Sequence, residues 1–325
     1  MSSDPVVAAI DCGTNSTRLL VVDATGRPLE RLMRITRLGQ GVDATGRLLP
    51  DAVERCITVL GEFRAVMERW GVTTGRLVAT SAARDASNGA DFLEAAALAT
   101  GLQPELLSGT DEGRLSLAGA VADLDLADGP FLVLDIGGGS TELVAADGPD
   151  DPELAAVSLQ LGCVRVSERF LSSDPPTSSE IAQARTEITS QIESAVAANP
   201  RFLRAHRLVG LAGTVSTIAA LSLGMAEYDR DRIHHTVLTA AEVGEWSHVL
   251  SGESSDARRV RPGMEAGRAD VIAGGAMILE AVMRRFGFDA CLVSEADILD
   301  GLVASQLAPT YTGFSHSVLQ QHLER

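Results

Sequence analysis

Two stretches decide how this chain is read: residues 9–23, AIDCGTNSTRLLVVD, and residues 133–147, VLDIGGGSTELVAAD. Laid together without gaps, Asp11 falls on Asp135, Gly13 on Gly137, Ser16 on Ser140, Thr17 on Thr141, Leu19 on Leu143 and Asp23 on Asp147, at a constant offset of 124 residues. Each stretch reads as apolar strand, small-residue turn, apolar strand. An offset this long has the size of a domain, not of a solenoid repeat. A second echo sets Arg76-Leu77-Val78, opening RLVATSAARDA, against Arg207-Leu208-Val209, opening RLVGLAGTVST, at an offset of 131. Two echoes in one order at nearly one spacing predict duplicated lobes.

Working outward, the pattern predicts strand, turn and strand over 6–23, then a strand near 29–38 and a helix from Pro50 to about Arg69. A strand at 76–80, a helix over 90–100, a strand at 104–107 and a helix over 110–122 complete the first lobe. The polar run ADLDLADGP (122–130) marks a boundary. The second lobe restarts at Phe131, with helices predicted at 163–171, 177–197, 214–223, 240–250 and 267–286. The domains expected are 1–127 and 128–325, the last helix (about 297–325) packing back on the first. Strands alternating with helices imply an α/β fold. A ligand would sit in the cleft between the lobes.

At 325 residues the chain exceeds what one core usually serves, in keeping with two domains. All 27 basic side chains are arginine, against 44 acidic ones, for a net charge of −17. Without lysine there is no Walker A loop, Schiff base or lysine-assisted phosphoryl transfer. The acidic balance argues against a nucleic-acid polymer as partner. No apolar run approaches the roughly 20 residues of a membrane span, and the start, MSSDPVVAAID, shows no secretory signal, so the expectation is a cytoplasmic protein with no membrane partner. Cys12, Cys56, Cys163 and Cys291 lack metal or disulfide spacing and read as small buried residues.

Asp-x-Gly-x-x-Ser-Thr between apolar strands makes a turn whose backbone N–H groups converge on an anion, with glycine allowing close approach. The aspartate ending the first strand is placed to hold a metal-bound water over that anion. A polyanionic substrate would then need cations and a few arginines to supply positive charge locally.

Two such hairpins in duplicated lobes resemble the acetate kinase, sugar kinase, Hsp70 and actin superfamily. ATSAARDASN (79–88), LLSGTDEGRLSLAGA (106–120), LDIGGGSTELV (134–144), LGCVRVSERF (161–170) and GLAGTVSTIAAL (210–221) are similar to one branch, the exopolyphosphatase and guanosine pentaphosphate phosphohydrolase family, in a short two-domain form. The resemblance implies two actin-like (ribonuclease H-like) domains with mixed sheets flanked by helices, and an active site in the interdomain cleft. It implies Glu112 as the catalytic glutamate, with Asp111 the competing acid next door, and Arg84 as a bidentate clamp on phosphoryl oxygens. Asp11 and Asp135 match metal-associated aspartates, and Glu142 is a further metal or water ligand; Mg²⁺, or Mn²⁺, suits such oxygen donors. Thr14, Asn15 and Ser16 would contact one phosphate, Gly138, Gly139 and Ser140 another, and Gly213 and Thr214 a third at a helix N-terminus. Arg165 and Glu168 also lie in a family motif, as an intradomain ion pair or a substrate contact. His234 and His235 are read as packing or hydrogen-bonding residues, and Gly274-Gly275 as helix packing.

The activity this implies is metal-dependent hydrolysis of the terminal phosphoanhydride of linear inorganic polyphosphate, short chains included. Guanosine pentaphosphate 5′-phosphohydrolysis is the alternative. A superfamily kinase and a non-catalytic polyphosphate or nucleotide sensor stand behind them. The resemblance allows a homodimer without specifying one.

Overall fold

The structure, a computed structural model, describes residues 5–307. The first sheet comprises β1 (Val7–Cys12), β2 (Ser16–Val22), β3 (Pro28–Ile35), β4 (Thr74–Ala79) and β5 (Pro104–Leu106). The second comprises β6 (Phe131–Ile136), β7 (Thr141–Ala146), β8 (Ala155–Leu159), β9 (Arg207–Leu211), β10 (Val237–Thr239) and β11 (Ala290–Val293). Strand order is β3-β2-β1-β4-β5 in one and β8-β7-β6-β9-β11-β10 in the other. In both, the first three strands form an antiparallel meander and the first strand pairs in parallel with the fourth. The duplication therefore extends to topology: an α/β molecule of two mixed sheets flanked by helices.

β1 and β6 are buried along their whole length because each lies between two neighbours and under helices on both faces. β3, an edge strand, is half-exposed and carries Glu30, Arg31 and Arg34. The helix Pro50–Trp70 opens on proline, closes on Gly71 in the left-handed conformation, and buries the stripe Ala52, Cys56, Leu60, Phe63 and Met67. Thr177 and Glu180 form a reciprocal cap at the start of the helix Ser178–Ala198. All four cysteines are buried and free.

Two helices between the sheets position the site. Gly109–Ala120 follows the first sheet in sequence but packs Leu117, Ala120 and Val121 on the second, against Phe131, Val133, Val144 and Leu211. Ile298–Leu307 follows the second sheet but packs Ile298, Leu299, Leu302 and Val303 on the first, against Val7, Ala9, Leu20 and Val78. They meet backbone to backbone: a β-carbon on Gly119 would lie 2.0 Å from the Asp297 carbonyl, and one on Gly301 2.1 Å from that of Leu115. The rest of the helix expected over 297–325, beyond Leu307, lies outside the described residues.

The helix expected over 267–286 begins at Ile272, after a short 3₁₀ turn at Ala266–Arg268. Gly267 is pressed against Ile35 of the other lobe, which fixes the chain entering the helix. The strand expected to reach residue 38 stops at Ile35, because the amides of Thr36 and Arg37 turn to the Asn15 carbonyl.

Candidate active site

The two turns are built alike. The Gly13 amide donates to the Ser16 carbonyl at 3.0 Å, and the Gly137 amide to the Ser140 carbonyl at 3.0 Å. They meet face to face across the cleft: a β-carbon on Gly138 would lie 2.9 Å from Thr14 Cβ and 3.1 Å from the Asn15 amide nitrogen. One on Gly139 would lie 2.4 Å from the Ser81 hydroxyl. Only glycine permits this approach. The second turn is braced by the helix Cys163–Phe170, whose Val164 and Arg165 amides donate to the Gly138 carbonyl at 2.9 and 3.1 Å.

Four carboxylates converge beneath the turns. Asp11, Glu112, Asp135 and Glu142 are all buried, at 4, 9, 8 and 1% exposure, where charged groups survive only if paired or ligating. Asp11 and Asp135 stand next to last in the strands that lead into the turns; in the antiparallel register Arg18 lies opposite Asp11 and Glu142 opposite Asp135. Glu112 comes from the interlobe helix, where Gly109 and Gly113 let the backbone rest on Ser158 and Val144 and so bring this first turn over Glu142.

Neighbouring donors use only part of this acceptor capacity. Arg18 gives Nη2 and Nε to Asp11 Oδ2 at 2.7 and 3.2 Å. Ser116 donates to Asp135 Oδ2 at 2.7 Å, and Ser158 to Glu142 Oε1 at 2.7 Å. Arg84 Nη1 reaches Glu112 Oε2 at 3.3 Å and the Leu107 carbonyl at 2.9 Å. Asp11 Oδ1, Glu142 Oε2 and Arg84 Nη2 remain buried with no partner. Orphaned polar atoms are rare in protein interiors and point to a missing ligand. Two orphaned carboxylate oxygens in an all-oxygen set fit a hard divalent cation, and the orphaned guanidinium nitrogen fits an anion.

Charge crowding shows in the acidities. Burial raises Glu112 well above the usual carboxylate range, Glu142, Asp135 and Asp11 push it further, and Arg84 opposes them. Glu142 is pushed up to about 8 by burial and by Asp135. Asp135 rises to about 6 through burial, with the Ser116 hydrogen bond and Arg18 pulling back. Burial also raises Asp11, and Arg18 lowers it. Asp111 plays a different part: its carboxylate takes the Ser108 hydroxyl at 2.6 Å and closes the helix cap at the surface.

Gly213 opens the helix Ala212–Ser222 on a cavity of about 600 Å³, lined also by Arg18, Tyr228, Arg230, Met264 and Arg268. The preceding Ala212 is held at φ +64°, a strained conformation for alanine. The Thr214 side chain packs on Gly275. A second cavity, of about 320 Å³, borders Thr14 and Asn15 and includes Arg258. That arginine is 3% exposed, with Nε and Nη1 unpartnered.

Arg165 corrects an expectation. Its acidic partners, Asp43 at 2.6 Å and Asp85, belong to the other lobe, and it also donates to the Gly139 carbonyl. The Gly41 amide donates to Glu168 across the same seam. These side chains clasp the lobes, because acidic residues of the helices Val42–Thr45 and Ser81–Asp85 face the helix that carries Arg165 and Glu168. His234, His235 and Asp123 offer ligand atoms within 4.8 Å of one another. His234 Nδ1, however, accepts the Glu295 amide, so its proton sits on Nε2 and points at Asp123. That trio is a hydrogen-bonded clasp. Sequence reasoning missed Arg18, Ser116, Ser158 and Asp297; the signal for Arg18 was present, since the 124-residue alignment sets it on Glu142.

Comparison with known proteins follows the same outline. Exopolyphosphatase 2 of Mycobacterium tuberculosis is 43% identical over 317 residues, spanning 92% of this chain and 98% of that protein. The crystal structure of an exopolyphosphatase-like protein matches with a TM-score of 0.88 at 34% identity, covering 94% of this chain and 100% of that one. The Aquifex aeolicus Ppx/GppA family member matches with a TM-score of 0.78 at 31% identity, covering 95% and 99%. The profile of the Ppx/GppA phosphatase family matches residues 20–309, and the chain belongs to that family.

Proposed function

We infer that the protein is an exopolyphosphatase, a phosphoanhydride hydrolase that removes terminal phosphate from linear inorganic polyphosphate, short chains included. The observation that carries this reading is the buried set of four carboxylates beneath two facing anion-binding turns, with Glu112 held by Arg84 on the cleft side. The similarity to Exopolyphosphatase 2 over nearly the whole chain supports it. Asp11, Asp135 and Glu142 would hold a divalent cation, Mg²⁺ by preference, since every donor is a hard oxygen. When bound, that cation balances the carboxylates' charge and offsets charge on the phosphoryl oxygens.

The chain's own groups then divide the work. Amides of the turns at Thr14, Asn15 and Ser16 and at Gly138, Gly139 and Ser140 bind phosphoryl oxygens. Arg84 Nη2, free of protein partners, takes one oxygen of the terminal group. Glu112, its Oε2 fixed by Arg84, accepts a proton at Oε1 from the water that attacks the terminal phosphorus. The bond from that phosphorus to the bridging oxygen breaks, the electron pair stays with the shortened chain, and orthophosphate leaves. Arg230 and Arg258, each with an unpartnered nitrogen beside one of the two cavities, supply positive charge for the rest of a polyanion. Four free cysteines support a cytoplasmic location.

A second reading, guanosine pentaphosphate 5′-phosphohydrolysis, draws on the larger cavity, where Tyr228 and Met264 add apolar wall suited to a base. The test compares orthophosphate release from short polyphosphate, long polyphosphate and guanosine pentaphosphate at equal concentration with Mg²⁺. Fastest release from polyphosphate is expected. Release from the nucleotide alone would transfer the site to the second reading. Binding without turnover would make the protein a sensor, and acceptor-dependent ADP formation a kinase.

A further inference from the structure

Arg18 stands between two buried carboxylates that come from opposite ends of the chain. It gives both Nε and Nη2 to one oxygen of Asp11, Oδ2, and its Nη1 to Asp297. Asp297 is 6% exposed and is itself immobilised: its Oδ1 takes the Leu299 amide at 2.9 Å, and its own amide donates to Asp300 Oδ2 at 2.9 Å. Arg31 lies beside it, 3.9 Å from Asp297 and 2.6 Å from Asp300. The helix that begins here is packed on the first sheet through Ile298, Leu299 and Leu302. Asp297 is therefore a fixed point, and the guanidinium is stretched between it and Asp11.

Because two of its N–H groups converge on Oδ2, Arg18 leaves Asp11 Oδ1 without a partner, buried under the turns. A carboxylate so held can offer one oxygen in one direction. Left alone among three other buried carboxylates, Asp11 would have no reason to keep that rotamer or its charge. Each of the three Arg18 nitrogens thus already has a protein acceptor, although the side chain lines the larger cavity. Metal ligands are commonly oriented by a partner behind them, and loss of that partner typically weakens metal binding by about 10–100-fold.

We propose that Asp297 and Arg18 form a positioning pair, reaching from the second lobe into the first, that presents Asp11 Oδ1 to the divalent cation. Arg18 does not touch substrate in this role. The proposal rests on the reading of Asp11 as a metal ligand.

The test is Mn²⁺ binding to the full-length protein without substrate, followed by electron paramagnetic resonance, with thermal unfolding in parallel. Asp297→Asn keeps the size and the helix cap but removes the charge that holds Arg18. It should weaken Mn²⁺ binding about 10–100-fold. At saturating Mn²⁺ the KM for short polyphosphate should stay within about twofold of the parent, which separates positioning from substrate contact. Arg18→Lys, whose ammonium cannot span both carboxylates, should show the same pattern and serves if Asp297→Asn does not fold. Asp300→Asn disturbs the same helix start without touching Arg18; it should lower stability and leave Mn²⁺ affinity unchanged. Parent-like Mn²⁺ affinity in folded Asp297→Asn or Arg18→Lys, or an equal loss in Asp300→Asn, overturns the proposal. So does a KM that rises tenfold while Mn²⁺ affinity holds. Failure of the underlying reading looks different: Asp11→Asn itself would then bind Mn²⁺ like the parent.

Discussion

The two hairpins share a strand register, a turn-closing hydrogen bond and a penultimate aspartate, yet they differ at the residue opposite that aspartate. In the first it is Arg18; in the second it is Glu142. One backbone therefore holds a neutralised carboxylate on one side of the cleft and two adjacent, buried carboxylates on the other. Arg18 pulls Asp11 back toward its ionised form, whereas Asp135 pushes Glu142 up to about 8 after burial has already raised it. A duplicated scaffold has become asymmetric through a single charge reversal. The first half anchors, and the second accumulates negative charge that only protons or a cation relieve.

The largest effect expected from this asymmetry is on metal removal. Chelation should abolish phosphate release, and Mg²⁺ or Mn²⁺ should restore it; undiminished turnover in excess chelator would remove the metal roles of Asp11, Asp135 and Glu142. Next comes the reversal itself. Glu142→Gln should cost on the order of 10³-fold in turnover, the upper range for losing one preorganised group. Glu142→Arg, which copies the first hairpin's pairing onto the second, should be at least as damaging. An active Arg variant would mean that the hairpins are interchangeable. Arg84→Lys should cost about 10²-fold, since an ammonium cannot replace a planar fork that holds Glu112 and has Nη2 left over for a phosphoryl oxygen. Parent kinetics in that variant would place Arg84 outside the site.

A smaller effect concerns stability. Asp135 at about 6 and Glu142 at about 8 lie above their ordinary values, so the folded, metal-free protein holds protons that the unfolded chain releases. Their contribution to stability is full below about pH 4 and is lost as pH rises through 6 and then 8. The metal-free Tm should fall by several degrees between pH 5 and 8.5, on the order of a few kcal/mol, most steeply as Glu142 loses its proton. Glu142→Gln should flatten the upper part of that slope, and saturating Mg²⁺ should flatten all of it. A pH-independent Tm in chelator would contradict the crowding described for the second hairpin.

Much of this architecture is legible in the sequence because it is local. The aspartates and turn glycines occupy strand ends that the 124-residue repeat marks twice, and the helix Pro50–Trp70 announces itself by proline, apolar stripe and glycine. The strands β8, β10 and β11 passed unnoticed because they are only three to five residues long and take their identity from neighbours. The partner holding Arg18 is 279 residues away, and nothing in one dimension joins Arg18 to Asp297. The helix cap favours Glu112 over Asp111: Ser108 fixes Asp111 at the surface, and the next residue faces inward.

That choice is also where the account is most exposed. Glu112→Gln keeps the size and the Arg84 contact but removes the base. Turnover of short polyphosphate should fall by roughly 10²–10⁴, the usual general-base range, while affinity for polyphosphate holds or tightens because a negative charge has left the cleft. Asp111→Asn, measured alongside, should retain most activity. A Glu112→Gln variant that turns over normally and binds like the parent would contradict the mechanism outright.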